Sequence, residues 1–201
     1  MQINNYENEN IFKILNTKSR VSTLSTVELS ITHKKLGELL SYKFLEEFNT
    51  VEVEIDHVQG KKIGYELDPK EFFLIIVLMR GGLYVADGFK NIFDGKYNFE
   101  MINSEEEITK IKKWYDLKFT NIIIIDSVIN TGISIQKIIN LFPKKKKIYI
   151  ISLVMQKESE KIFKKYDNLV FFIARVSHNF YIGKGNIDTG NRLFKVKAQW
   201  F

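Results

Sequence analysis

Hydrophobic positions in this chain of 201 residues follow three rhythms, and each predicts a different element. The first is unbroken. Ile122 to Ile125 is a run of four isoleucines, which cannot alternate between core and solvent. It predicts a strand buried on both faces of a parallel sheet. Phe72 to Met79 reads the same way, and Ile148 to Met155 and Leu169 to Ala174 add two more strands. The second rhythm is helical. Leu36, Leu39, Leu40, Phe44 and Leu45 recur along Ser30 to Phe48, with Thr32 as the expected cap. Ile135, Ile138, Ile139 and Phe142 share that spacing, and helices are also expected over Leu83 to Phe93 and Glu158 to Tyr166. The third rhythm is alternation: Val51, Val53 and Ile55, then Ile63, Tyr65 and Leu67 beyond Gly60, predict two strands around a turn. Residues 94–118 are polar and weakly periodic, a candidate flap. Strands alternating with helices predict an α/β fold, a right-handed parallel sheet with helices on both faces.

The isoleucine run is expected to stop at Asp126, because a carboxylate is costly inside such a sheet. Thr131, Gly132 and Ser134 then make a short polar turn ahead of the next helix. This order gathers free backbone N–H groups, two hydroxyls and a helix amino terminus around one point. Such a point suits phosphate, and open parallel sheets take ligands at the carboxyl ends of their strands. The strand Phe72 to Met79 also ends in a polar turn, Arg80-Gly81-Gly82. Taken singly these signals are weak: an acid after a strand is often a plain loop residue, and glycine pairs mark ordinary turns.

Composition narrows the chemistry. The length fits one domain, residues 1–201. Cysteine is absent, which excludes disulfides, thiolate metal sites and thiol catalysis and agrees with a reducing compartment. His33, His57 and His178 are too dispersed to suggest a histidine-built zinc site. The formal charge is +6, with lysines clustered at Lys144 to Lys147. No aromatic residue interleaves with them, so a solvated turn is expected there rather than a nucleic-acid surface. Met1 to Asn10 carries two glutamates and no apolar core, unlike a signal peptide. The longest apolar run falls well short of the roughly 20 residues that span a bilayer. A cytoplasmic protein without membrane contact is expected.

Three segments together resemble the uracil phosphoribosyltransferase family, of the type I phosphoribosyltransferase fold. Asp126-Ser-Val-Ile-Asn-Thr131-Gly132-Ile-Ser134 is similar to that family's loop for 5-phosphoribosyl diphosphate, with Ser127 where the family has proline after a single acid. Met79-Arg80-Gly81-Gly82-Leu83, with Asp87-Gly88 downstream, is similar to its diphosphate loop and following helix. Tyr181-Ile182-Gly183-Lys184-Gly185-Asn186-Ile187-Asp188-Thr189-Gly190-Asn191-Arg192-Leu193-Phe194 follows its carboxyl-terminal uracil segment without a gap. Weaker similarity reaches back through Arg20 and Thr26, so the likeness covers nearly the whole chain.

The resemblance implies a parallel sheet with a small flap or hood, and transfer of phosphoribose to a nucleobase, foremost uracil, with Mg2+. Two alternatives stay open: a sister transferase with another acceptor, or a catalytically weak regulator of this fold that binds nucleotide or RNA. The chemistry passes through a cation-like ribose while diphosphate leaves, so the protein must position and stabilise more than react. Thr131, Ser134 and the N–H groups from Asn130 through Gly132 and Ile133 suit the 5-phosphate, with Ser127, Val128 and Ile129 in the same loop. Asp126 suits a ribose hydroxyl and the developing positive charge. Arg80 and the N–H groups beside Gly81 suit the diphosphate. By resemblance, Asp188 contacts the magnesium–phosphoribosyl diphosphate complex, and backbone at Ile182, Ile187 and Thr189 reads the base edge. The family also suggests GTP as an effector and a homodimer; Val196, Ala198, Trp200 and Phe201 make an apolar tail that either enters such a contact or packs on the chain's own sheet, covering the base pocket from behind. Four features depart from the family's pattern. Asn191 replaces its second acid, Ile133 and Ile187 replace glycines, Lys184 replaces a proline, and residues 94–118 offer Lys96 but no arginine. Arg192 is expected as a structural ion-pair partner and His178 as structural or exposed.

Overall fold

The computed structural model describes residues 1–93, 97–109, 111, 119–179 and 187–195. In chain order the elements are β1 (Gln2–Asn5), α1 (Asn10–Arg20), α2 (Thr26–Leu45), β2 (Thr50–His57), β3 (Gly60–Leu67), β4 (Phe73–Leu78) and α3 (Leu83–Phe89). They continue as β5 (Tyr97–Ile102), α4 (Glu105–Ile108), β6 (Asn121–Ile129), α5 (Ile133–Ile139), β7 (Ile148–Gln156), α6 (Glu160–Phe163), β8 (Leu169–Ser177) and α7 (Thr189–Phe194).

The all-apolar segments become the middle of a parallel sheet, in the order β1-β8-β7-β6-β4-β5. Every residue of β4 is buried, as are the four isoleucines of β6. Alternate side chains serve two cores. Ile75, Val77, Ile123, Ile125 and Phe172 pack against Phe12 of α1, Leu36, Leu40 and Phe44 of α2, and Val85 and Phe89 of α3. Ile76, Ile122, Ile124, Ile150 and Phe171 pack against Ile135, Ile138 and Ile139 of α5 and Phe163 of α6. Helices therefore cover both faces, as expected. The alternating segments form the β2–β3 hairpin, a separate antiparallel pair outside the main sheet.

Several boundaries differ from the sequence expectation. α2 starts at Thr26 rather than Ser30, because Ser25 and Glu28 form a capping box. Thr32 is thus not a cap; it lies inside the helix and donates its hydroxyl to the Glu28 carbonyl at 2.7 Å. β6 does not stop at Asp126 but runs to Ile129, since β7 keeps pairing with it as far as Ile129↔Met155. Residues 94–118 are not simply a flap. Tyr97 to Ile102 form edge strand β5 beside β4, and the short α4 follows. Residues 94–96, 110 and 112–118, including Lys96, lie outside the described residues. β1, α1 and α7 had no counterpart in the reading of the sequence.

Backbone contact between α2 and α3 fixes the height of the turn that precedes α3. A Cβ on Gly37 would sit 2.1 Å from the Val85 carbonyl oxygen, and one on Gly88 would sit 1.9 Å from that of Lys34. Only glycine at both places lets the two helices touch so closely. The Lys144 to Lys147 cluster sits in the turn before β7. Lys146 reaches the Phe119 carbonyl and Lys147 pairs with Glu47 at 3.2 Å, in keeping with a structural turn.

Candidate active site

β4 ends at Leu78 and its pairing with β6 ends at Val77↔Ile125. Asp126 is therefore the first residue of β6 with no neighbour on that side, and its carboxylate opens into the gap. The Val128 N–H approaches Asp126 Oδ1 at 3.4 Å. Burial pushes the Asp126 carboxyl up to about 7; the N–H groups of Val128 and Ser127 partly offset this, and Asp188 adds to it. Two acids from distant parts of the chain thus sense each other across one gap.

The loop after β6 turns at Gly132, whose φ of 78° is left-handed. A Cβ there would also lie 2.6 Å from the Phe163 ring. Thr131 Oγ1 accepts from the Ile133 N–H at 3.4 Å, and α5 begins at Ile133. Ile129 turns its side chain into the core while Ile133 is exposed. At Ile129 only the backbone remains to serve a ligand.

The turn after β4 is built to lie against β6. The Gly82 N–H bonds the Leu78 carbonyl at 2.9 Å. Cβ atoms on Gly81 and Gly82 would meet Ser127 Oγ at 2.6 Å and the Ile125 carbonyl oxygen at 2.8 Å. The Met79–Arg80 peptide is cis. Arg80 donates from Nη2 to Asn191 Oδ1 at 3.1 Å, and its guanidinium lies 5.8 Å from the Phe194 ring centroid. Phe194 in turn stacks on Tyr84 of α3 at 5.6 Å.

α7 is short but well anchored. Asp188 is its N-cap and accepts from the Asn191 N–H at 2.8 Å. Arg192 donates to the Ser19 and Val21 carbonyls at 3.2 and 2.8 Å. It is structural as expected, but its partners are carbonyls at the α1–α2 junction rather than an acid. Burial, reinforced by Arg192, lowers the His33 imidazole to about 4.

These parts enclose a cleft of about 370 Å³ lined by Met79, Arg80, Gly81, Asp126, Ser127, Val128, Asn130, Asp188, Thr189 and Gly190. Eight of the residues proposed from sequence meet there: Arg80, Gly81, Asp126, Ser127, Val128, Asn130, Asp188 and Thr189. A second cavity of about 240 Å³ shares Met79 and Asp126 and reaches Ser134. It is also lined by Asn103 and Ser104 at the end of β5, which the sequence reading missed. The signal for them was faint, a polar pair closing a half-buried stretch. Thr131, Gly132 and Ile133 line neither cavity, although their loop joins Asn130 to Ser134. Ile187 is exposed beside Asp188. Ile182 lies outside the described residues, as do Lys184 and the tail from Val196. His178 is exposed. Among the described residues no three acids or histidines gather into a metal-binding group, so a cation at the cleft would need ligands from elsewhere besides Asp126 and Asp188.

Comparison with known proteins gives the chain's family. A family model described as uracil phosphoribosyltransferase matches residues 6–196. Similar sequences include the uracil phosphoribosyltransferase of Malacoplasma penetrans, 29% identical over 82% of this chain and 85% of the relative. That of Ureaplasma urealyticum is 29% identical over 89% and 91%. Among solved structures, a protein from Aquifex aeolicus superposes with a TM-score of 0.75 at 21% identity, covering 98% of this chain and 100% of the other. That superposition shows a shared fold.

Proposed function

The chain belongs to the uracil phosphoribosyltransferase family, and from that premise we propose that it is a pentosyltransferase acting on uracil and 5-phosphoribosyl diphosphate. The products are uridine monophosphate and diphosphate. One observation supports this reading above the rest. Arg80, Asp126 and Asp188, from three separate segments, line a single cleft at the carboxyl ends of parallel strands.

Each group has a task in the transfer. Uracil N1 bonds to the ribose anomeric carbon as the bond from that carbon to diphosphate breaks, and the N1 proton passes to the departing diphosphate or to solvent. The loop from Asn130 to Ser134 takes the 5-phosphate, with the Thr131 and Ser134 hydroxyls and the first N–H groups of α5 as donors. Arg80 and the Gly81 backbone take the diphosphate, for which a guanidinium's fork is better suited than an ammonium. Asp126 faces the ribose, where its ionised form stabilises the developing positive charge. Asp188, Thr189 and the backbone at Ile182 and Ile187 take the base. The close fit of Gly81 against Ser127 supports diphosphate and ribose subsites lying side by side.

Mg2+ fits this donor set. It is commonly held by one or two carboxylates plus substrate phosphates, and Asp188 would supply the protein's share. When bound it would neutralise charge on the departing diphosphate.

The chain works as one domain and as a homodimer in the cytoplasm. Exposed Val58, Ile63 and Tyr65 on the β2–β3 hairpin support the pairing, since a two-stranded hairpin standing alone is marginally stable in water. Among the described residues no helix is long and apolar enough to cross a membrane. Incubation with labelled phosphoribosyl diphosphate and a panel of nucleobases tests the assignment. Labelled uridine monophosphate is expected from uracil, and donor binding without nucleotide from any base would contradict it.

A further inference from the structure

α7 does two things at once. Its cap Asp188 and first residue Thr189 line the cleft, while Asn191 accepts from Arg80 and Phe194 lies against the same guanidinium. Asn191 cannot drift, because its own N–H is bonded to Asp188 at 2.8 Å. A displacement of Asp188 must therefore carry Asn191 with it, and Arg80 follows. The partner that α7 offers Arg80 is an amide rather than a carboxylate. An acid there would make a charge-assisted, bidentate pair with the guanidinium. Such a pair would compete with an incoming anion.

We infer that Asn191 is a positioning residue that ties Arg80 to the base-binding segment while leaving its charge uncancelled for diphosphate. The inference rests on the transferase reading above. A guanidinium has five N–H donors; a single bond to Asn191 sets its direction and leaves others for the ligand. Because the link runs through α7, the effect is reciprocal: whatever orders Asp188 and Thr189 also orders Arg80, so uracil and diphosphate each favour the other's binding.

The test measures magnesium diphosphate binding by calorimetry in the full chain. Asn191→Asp keeps the shape, and an acid in the first turn of a helix is favourable, so its melting temperature should match the wild type. Its dissociation constant should rise by up to about fivefold, as expected when an ion pair at the exposed Arg80 must be broken. The deficit should shrink at high salt. Asn191→Ala should lose less, since it loosens Arg80 without opposing it. In an Arg80→Ala background, Asn191→Asp should change nothing further. Wild-type affinity in Asn191→Asp, an equal or larger loss in Asn191→Ala, or a loss that persists without Arg80 overturns the inference. A wild-type chain that binds no diphosphate refutes the transferase reading itself.

Discussion

Asp126 shows how one residue can work against the fold for the sake of the site. Its carboxyl titrates near 7 in the folded chain against 3.8 for an ordinary aspartate. Between those values the folded state holds a proton that the unfolded state has released. Stability from this group is therefore greatest below about pH 4 and falls as pH rises through 7. Asp126→Asn should remove that fall, giving a higher melting temperature than wild type at pH 8 and a similar one at pH 4. Turnover should behave oppositely. It needs the ionised form, so it should climb as pH rises through about 7, and the variant should lose about a hundredfold or more. A variant that melts lower than wild type at pH 8, or turns over normally, would contradict this assignment. Thr131→Val should chiefly weaken donor binding, by roughly 1.5–3 kcal/mol for a lost bond to a charged group. Unchanged donor affinity in calorimetry would move the phosphate elsewhere. Asp126 was legible in the sequence because it interrupts four isoleucines. Asn103 and Ser104 were not, because they close an edge strand whose apolar rhythm is weak.

At the scale of elements, the site depends on how closely backbones approach. α3 carries the turn with Arg80 at its head, and Gly88 lets it settle onto the Lys34 carbonyl of α2. Gly88→Ala should cost about 1–3 kcal/mol in urea unfolding. Lower diphosphate affinity should accompany it, because the turn is lifted away from β6. Full stability would mean that the two helices slide apart freely. α2 also holds His33, buried beside the Arg192 anchor of α7 and titrating near 4 rather than 6.5. The folded chain here binds fewer protons than the unfolded one, so this contribution is present above pH 6.5 and is lost as pH falls through 4. In wild type it opposes the slope from Asp126; in Asp126→Asn it should emerge, with melting temperature rising between pH 4 and 6.5. The buried strands and the faces of α2, α3 and α5 were readable because their periods are unambiguous. The continuation of β6 past Asp126 was not, since it depends on β7 outlasting β4. α7 has six residues with glycine among them, too few to register as a helical period. β1 is an edge strand whose only apolar residue is Ile3; its pairing with β8, rather than its pattern, makes it a strand.

For the whole molecule, the fold brings distant chain segments to one mouth, Arg80 from the turn after β4 and Asp188 at the head of α7 on either side of Asp126. The three motifs were readable in the sequence; parallel strands brought the first two to one end of the sheet, while Asp188 joined them only through the family resemblance. What could not be read was the contact of Arg80 with α7, which needs the fold. Assembly is tested by light scattering: a dimer is expected across micromolar to millimolar concentrations, and a monomer throughout would remove the interface proposed for the hairpin and tail. The central claim concerns one reaction, and it has one direct measurement. Purified chain is mixed with uracil, 5-phosphoribosyl diphosphate and Mg2+, and nucleotide and diphosphate are quantified together over time. Uridine monophosphate and diphosphate should accumulate in equal amounts, with both lost in Asp126→Asn. Diphosphate released without nucleotide, or neither product despite bound donor, would contradict the account.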